Sequence, residues 1–240
     1  MVDDGSVPNQ SIDDLPELYS HLDIKIIHVK NKWWVNPCIP LNIGFKEAVG
    51  DIIIIQNPEC FHTGNIIGFV ELNMKLNDYM VFGCYAIDQQ RTQRLLALSP
   101  TAPNYFNEAK ALLEPKANMA CGKAPTPNKW YQHSVYRPAA FNFCSAIMRE
   151  DLDDLGGFDE RFGKGIAKDD KEFILRIKRK GMRIIQVDTP FVIHQYHHPF
   201  HYRQDLVVLN TALLEEWLAK DDSDYKVSNE FINIDYEVLT

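Results

Sequence analysis

The chain has 240 residues and 27.7 kDa, enough for one large domain or two small ones, and its 45% hydrophobic, 11% aromatic and 24% charged content excludes a disordered or disulfide-stapled protein. With 33 acidic against 25 basic residues the net charge is −8, which excludes the broad basic footprint of a nucleic-acid binder. No apolar run reaches the roughly 18 residues that span a bilayer and the acidic start is unlike a signal peptide, so a soluble, cytoplasmic protein is expected.

In chain order, residues 1–6 read as the end of a strand running into Asp3-Asp4-Gly5-Ser6. Residues 11–21 carry helix signals, 24–29 read as a strand and 41–49 as a helix. Ile52 to Ile55 are four β-branched residues in a row, the pattern of a central strand covered on both faces, and they end at once in Gln56-Asn57-Pro58-Glu59. A helix over 65–76 and a strand over 79–87 extend the alternation, which predicts an α/β fold with a largely parallel sheet. Residues 99–138, rich in Pro, Ala and Asn with one helical stretch at 105–113, read as an excursion suited to a substrate lid. A strand follows over 141–148 and a helix over 169–180 with Phe173, Ile174 and Ile177 on one face and Gly181 as its stop. Two short strands at 183–187 and 191–193 and an amphipathic helix over 204–219 complete the reading. The five cysteines, an odd and scattered set without a CxxC, are expected to be reduced thiols.

Three segments carry chemistry. Asn57 and Glu59 stand at the carboxyl end of an apolar strand, where α/β sheets bind ligands, and Glu59 offers oxygen to a divalent cation; a solvated loop Glu is the alternative. Gly156-Gly157-Phe158-Asp159-Glu160 precedes Asp169-Asp170 at a helix start. These carboxylates are either helix caps or a working pair, with Arg176 expected to hold one while the other reaches a substrate hydroxyl. His194, His197 and His198, with His201 close behind, cluster after a strand. Imidazoles beside Glu59 favour Mn2+ over Mg2+, and no cysteine or HExxH partner supports zinc. Trp130 with His133, and Trp33-Trp34, offer aromatic faces for sugars, with core packing as the alternative role.

Together these segments resemble the inverting GT-A glycosyltransferases, the family 2-like enzymes that use nucleotide-diphosphate sugars. The resemblance implies a Rossmann-like, mostly parallel sheet flanked by helices with a C-terminal helix. It also implies one catalytic domain over 1–203, divided into a nucleotide and metal half (1–98) and an acceptor half (99–203), with 204–240 packed on it. Asp3-Asp4-Gly5-Ser6 resembles the strand-end motif that addresses the nucleotide, so Asp3 and Asp4 would bind donor, as would Asn42 and Asn57. Asn57-Pro58-Glu59 falls where the family carries Asp-x-Asp, which makes Glu59 a metal ligand with His194 and, as a second choice, His197. By register with Arg176, Asp170 is the catalytic base and Asp169, with Trp130 and His133, binds acceptor.

The expected partners are a UDP-sugar, UDP-glucose or UDP-galactose foremost, a glycan or glycoprotein acceptor and Mn2+, with Mg2+ as the second option. The chain starts at the family's second strand, so a homodimer completing the base pocket is also an expectation. A non-catalytic carbohydrate- or nucleotide-binding module and a metal-dependent hydrolase are the alternatives.

Overall fold

The computed structural model describes residues 1–99, 102–113, 120, 127–197, 203–229 and 234–239. In chain order the elements are β1 (Val2–Asp3), α1 (Leu15–Leu18), β2 (Ile26–Val29), α2 (Cys38–Glu47), β3 (Ile52–Gln56), β4 (Cys60–His62), α3 (Ile66–Asn73), β5 (Asp78–Ala86) and α4 (Gln89–Leu96). There follow α5 (Tyr105–Ala111), β6 (Lys129–Gln132), β7 (Cys144–Met148), α6 (Arg149–Leu155), α7 (Asp169–Arg179), β8 (Arg183–His194), α8 (Gln204–Ala219) and β9 (Tyr236–Leu239). They form two compact units, each built from separated stretches: Met1–Gly50, Leu152–Arg179 and Arg203–Thr240 in the first, Asp51–Asp151 and Lys180–Tyr202 in the second. The expected nucleotide half (1–98) and acceptor half (99–203) each draw on both units.

The second unit holds a six-stranded sheet in the order β3-β7-β5-β8-β4, with β6 pairing β5 beyond the end of β7. The α/β class is as expected, but the sheet is mixed rather than mostly parallel. Only β5 and β8 run parallel in it, while β3·β7, β5·β7, β5·β6 and β4·β8 are antiparallel. The isoleucine strand β3 is terminal, not central. Its four Ile reflect cover on both faces instead: Ile53 and Ile55 are buried, and Ile52 and Ile54 pack on the core of Met80, Phe82, Ala146 and Val192.

The two short strands expected at 183–187 and 191–193 are one strand. Between the pairs Phe82↔Val187 and Cys84↔Val192, β8 carries four residues opposite the single Gly83 of β5. A Cβ at Gly83 would come within 3.3 Å of Phe191 Cβ, so a residue without a side chain eases the packing of the bulge against β5. The Thr189–Pro190 peptide in the bulge is cis.

The first unit pairs β1 parallel and β9 antiparallel to β2. Its core stacks Phe45, Phe158 and Phe173 and buries Trp34, Ile39 and Trp217. The sequence reading of helix 204–219 coincides with α8, and that of 169–180 with α7, which Gly181 ends at φ +79°. Helix 11–21 shrinks to the single turn of α1, with Pro16 in its first turn. Cys38, Cys60, Cys84 and Cys144 are buried free thiols, and Cys121 lies outside the described residues.

Candidate functional site

Candidate residues gather at one place in each unit. In the second unit, Gln56 closes the turn after β3 by donating from Nε2 to the carbonyls of Asn57 (3.1 Å) and Cys60 (2.6 Å). This turn delivers Glu59 to the start of β4, whose Cys60 pairs with His194 at the end of β8, and Gln195 N donates to Glu59 O at 2.9 Å. Glu59 Oε1 lies 3.5 Å from His194 Nε2, and one ligand atom each from Glu59, His194 and His197 lie within 4.8 Å of one another. Tyr131 and Phe143 set their rings edge-on to the His194 imidazole, 5.6 and 5.7 Å between centroids, and so limit its rotation.

Against the cost of burial, the hydrogen bond and charge of His194 and the amide of Asn57 hold the Glu59 carboxyl below its ordinary range. A carboxylate oxygen with two imidazole nitrogens is a donor set that fits Mn2+, which accepts both, better than the oxygen-seeking Mg2+. Asn57 donates from Nδ2 to Glu59 Oε1 at 3.1 Å, so it orients Glu59. His198 and His201 lie outside the described residues, as does part of the 99–138 excursion.

Trp130 is not an open sugar platform. It is 7% exposed, packed between Tyr85, Phe191 and His133, because β6 turns it into the core beneath β5. His133 caps the following turn: its Nδ1 accepts from Val135 N at 3.1 Å, while Nε2 lies 3.6 Å from Asp188. Burial, only partly offset by Asp188, pulls its pKa down.

In the first unit, Asp3 ends β1 and accepts through Oδ1 from Gly5 N (3.1 Å) and Ser6 N (2.8 Å). Its burial opposes ionisation, but these bonds and His28 hold its carboxyl below the usual range. Asp4 accepts from Trp34 Nε1 at 3.1 Å and pairs with Lys32 at 2.7 Å. Asn42 is 4% exposed and spent as a clamp: it donates to Phe158 O and Glu160 Oε1 and accepts from Phe158 N.

The glycine pair is dictated by that packing. Gly156 and Gly157 both have positive φ, and a Cβ would meet Val227 O at 2.1 Å or Asn42 Oδ1 at 2.6 Å. Beyond them Ala167 (φ +61°) and Lys168 (φ +74°) hold left-handed conformations unusual for residues with a Cβ. Asn210, buried on α8, steadies this strained approach by donating to Phe162 O (3.1 Å) and Ala167 O (2.8 Å).

Asp169 and Asp170 follow at the start of α7. Asp169 is 6% exposed, and its Oδ1 accepts from Asn36 Nδ2 at 2.8 Å. Asp170 is half-buried, and among the described residues nothing donates to its carboxylate. Burial and the adjacent Asp169 push the Asp170 carboxyl well above the ordinary carboxylate range. Arg176 does not hold either aspartate. It is fully buried and pairs with Glu172, one turn away on α7, while donating to Leu155 O and Gly157 O at 2.8 Å. Asn36 and Asn210 escaped the sequence reading, since single asparagines carry no local pattern.

The mixed sheet and its flanking helices are those of the GT-A fold. No protein-family model matches the sequence, and no curated protein matches it. Among solved structures it is similar to GalNAc-T7 with UDP, GalNAc and Mn2+, at 17% identity and a TM-score of 0.52 over 82% of this chain and 37% of that one. It is also similar to the mannosyltransferase PcManGT from Pyrobaculum calidifontis in complex with GDP-Man and Mn2+, at 16% identity and a TM-score of 0.50 over 90% of this chain and 54% of that one. A third, the catalytic domain of Drosophila beta1,4galactosyltransferase 7 with xylobiose, matches at 11% identity and a TM-score of 0.43 over 75% of this chain and 62% of that one. The chain thus spans less than two thirds of the length of each. Among the described residues no helix is long and apolar enough to cross a membrane.

Proposed function

We propose that the chain is a metal-dependent, inverting glycosyltransferase that moves a hexose from a UDP-sugar, UDP-glucose or UDP-galactose, to a hydroxyl of a glycan or glycoprotein. The observation that carries this reading is the convergence of Glu59, His194 and His197 within 4.8 Å in a fold of this class. The fold is shared with proteins whose structures hold UDP or GDP-Man together with Mn2+, which supports a nucleotide-sugar donor.

Asp170, its proton affinity raised by burial and by Asp169, takes the proton of the acceptor hydroxyl as that oxygen attacks the anomeric carbon. The bond from that carbon to the nucleotide diphosphate breaks on the opposite face, so the configuration inverts. Asp169, held by Asn36, binds an acceptor hydroxyl. His133 remains a proposed acceptor contact through the edge it turns toward Asp188. Asp3 and Asp4 stand for the nucleotide, and Asn57 fixes Glu59 and reaches the donor. Mn2+ held by Glu59, His194 and His197 would supply positive charge to the leaving diphosphate.

The test is release of UDP from UDP-glucose and UDP-galactose, with a GDP-sugar as control, in the presence of Mn2+ and a panel of glycan acceptors. Acceptor-stimulated UDP release with inverted product, lost in Asp170→Asn and in Glu59→Ala, is the expected result. No release by the wild type would leave a binding module, release indifferent to acceptor would make the protein a hydrolase, and retained configuration would remove Asp170 as base.

A further inference from the structure

The first unit contains a cleft of about 530 Å³ that the proposed transfer does not use, in the size range of small-molecule sites. It opens between the 3-10 turn Glu160–Lys164, the end of α8 and residues 226–229, and is lined by Trp33, Arg161, Lys164, Lys220, Lys226 and Ser228 among others. Four of these are cationic, on a chain whose net charge is −8. The two acidic lining residues are buried. Asp159 is 2% exposed and accepts from Arg161 and from Trp217 Nε1, and Glu160 is 8% exposed and accepts from Asn42. The more exposed charges of the lining are therefore the cationic ones.

The cations are unequal. Arg161 is tied to Asp159 and Glu216, and Lys226 to Asp154. Lys220 instead stands 3.7 Å from the centroid of the Trp217 ring, and among the described residues neither it nor Lys164 pairs with a carboxylate. Two ammonium groups without a carboxylate partner line one concavity, an arrangement that can recognise anionic oxygens. At the mouth Trp33 is 40% exposed, a flat apolar face beside those charges.

We propose that this cleft binds an acidic saccharide, with a sulfate or carboxylate on Lys164 and Lys220 and the apolar face of a sugar ring on Trp33. The choice of a saccharide over another anion rests on the glycosyltransferase reading. Binding of a heparin-derived disaccharide to the full chain, followed by calorimetry without metal or donor, tests it. Cellobiose, inorganic sulfate and UDP are the comparison ligands. The expected result is saturable binding of the sulfated disaccharide, weakened roughly tenfold in Lys164→Glu and in Trp33→Ala and further in the Lys164→Glu/Lys220→Glu pair, with the three comparison ligands much weaker.

Absence of saturable binding, variants within about twofold of wild type, or equal affinity for sulfate or UDP would each overturn the assignment. Lys164 is exposed, so its substitution keeps the test valid if Lys220→Glu fails to fold. Because neither donor nor turnover enters the measurement, failure of the transferase reading in the UDP-release assay and failure of this site are separate results.

Discussion

Asp170 combines a half-buried position, a like-charged neighbour and no hydrogen-bond donor among the described residues. Its carboxyl is raised in the folded state and ordinary in the unfolded one. The contribution of this one group is thus most favourable below the ordinary carboxylate pKa of about 3.9 and is lost as pH rises through the folded value. Asp170→Asn cannot ionise. It is expected to unfold at a higher temperature than wild type, by a margin that grows between acid and neutral pH in calorimetric scans, while transfer falls by ~10² to 10⁴-fold. The wild-type rate should rise with pH along a limb displaced above the usual carboxylate range. A second prediction concerns Asn57. Since it orients Glu59 from outside the ligand set, Asn57→Ala should weaken Mn2+ binding by ~10 to 100-fold, read from the free-ion signal in electron paramagnetic resonance.

At this scale the carboxylate and histidine cluster was legible because the residue types themselves are unusual at strand ends. Asn36 and Asn210 were not, since Asp169, which Asn36 holds, and Phe162, which Asn210 holds, lie 133 and 48 residues away in the chain.

The helix α7 shows how an element can be read correctly and its parts wrongly. Its periodicity is plain, but Arg176 had two kinds of carboxylate within reach, and spacing alone could not rank them. Glu172 wins because it sits at i−4 on the buried face, where the pair also closes the Leu155 and Gly157 carbonyls. Removing one partner of such a pair leaves a buried charge. Arg176→Met should therefore cost about 3–5 kcal/mol in urea unfolding, and adding Glu172→Leu should recover most of it. The strand β3 makes the same point for sheets: four consecutive isoleucines report cover on two faces, but strand order and direction come from pairings with β7 that no local run encodes.

Across the whole molecule, ligand linkage gives the broadest test of the donor site. Mn2+ or UDP binding only the folded protein raises its stability by about 2.7 kcal/mol at a hundredfold excess over Kd. If metal and nucleotide bind at one site, the two together should raise the thermal midpoint by more than the sum of their separate shifts. Glu59→Ala and His194→Ala should abolish that excess, and a strictly additive wild-type response would argue against a shared site. The α/β class was readable at this scale from the alternation of elements, but the division into units was not, because it depends on which distant segments find one another.

That division makes the order of synthesis matter. The chain enters and leaves the first unit in turn, so α2, with Cys38, Ile39 and Ile43 on its buried side, emerges from the ribosome well before α7 and α8. At ~5–20 residues per second the wait from α2 to α8 is on the order of ten seconds or more. For that interval an apolar helix face is without its cover, and the first unit, whose last segment is made last, is set to close last.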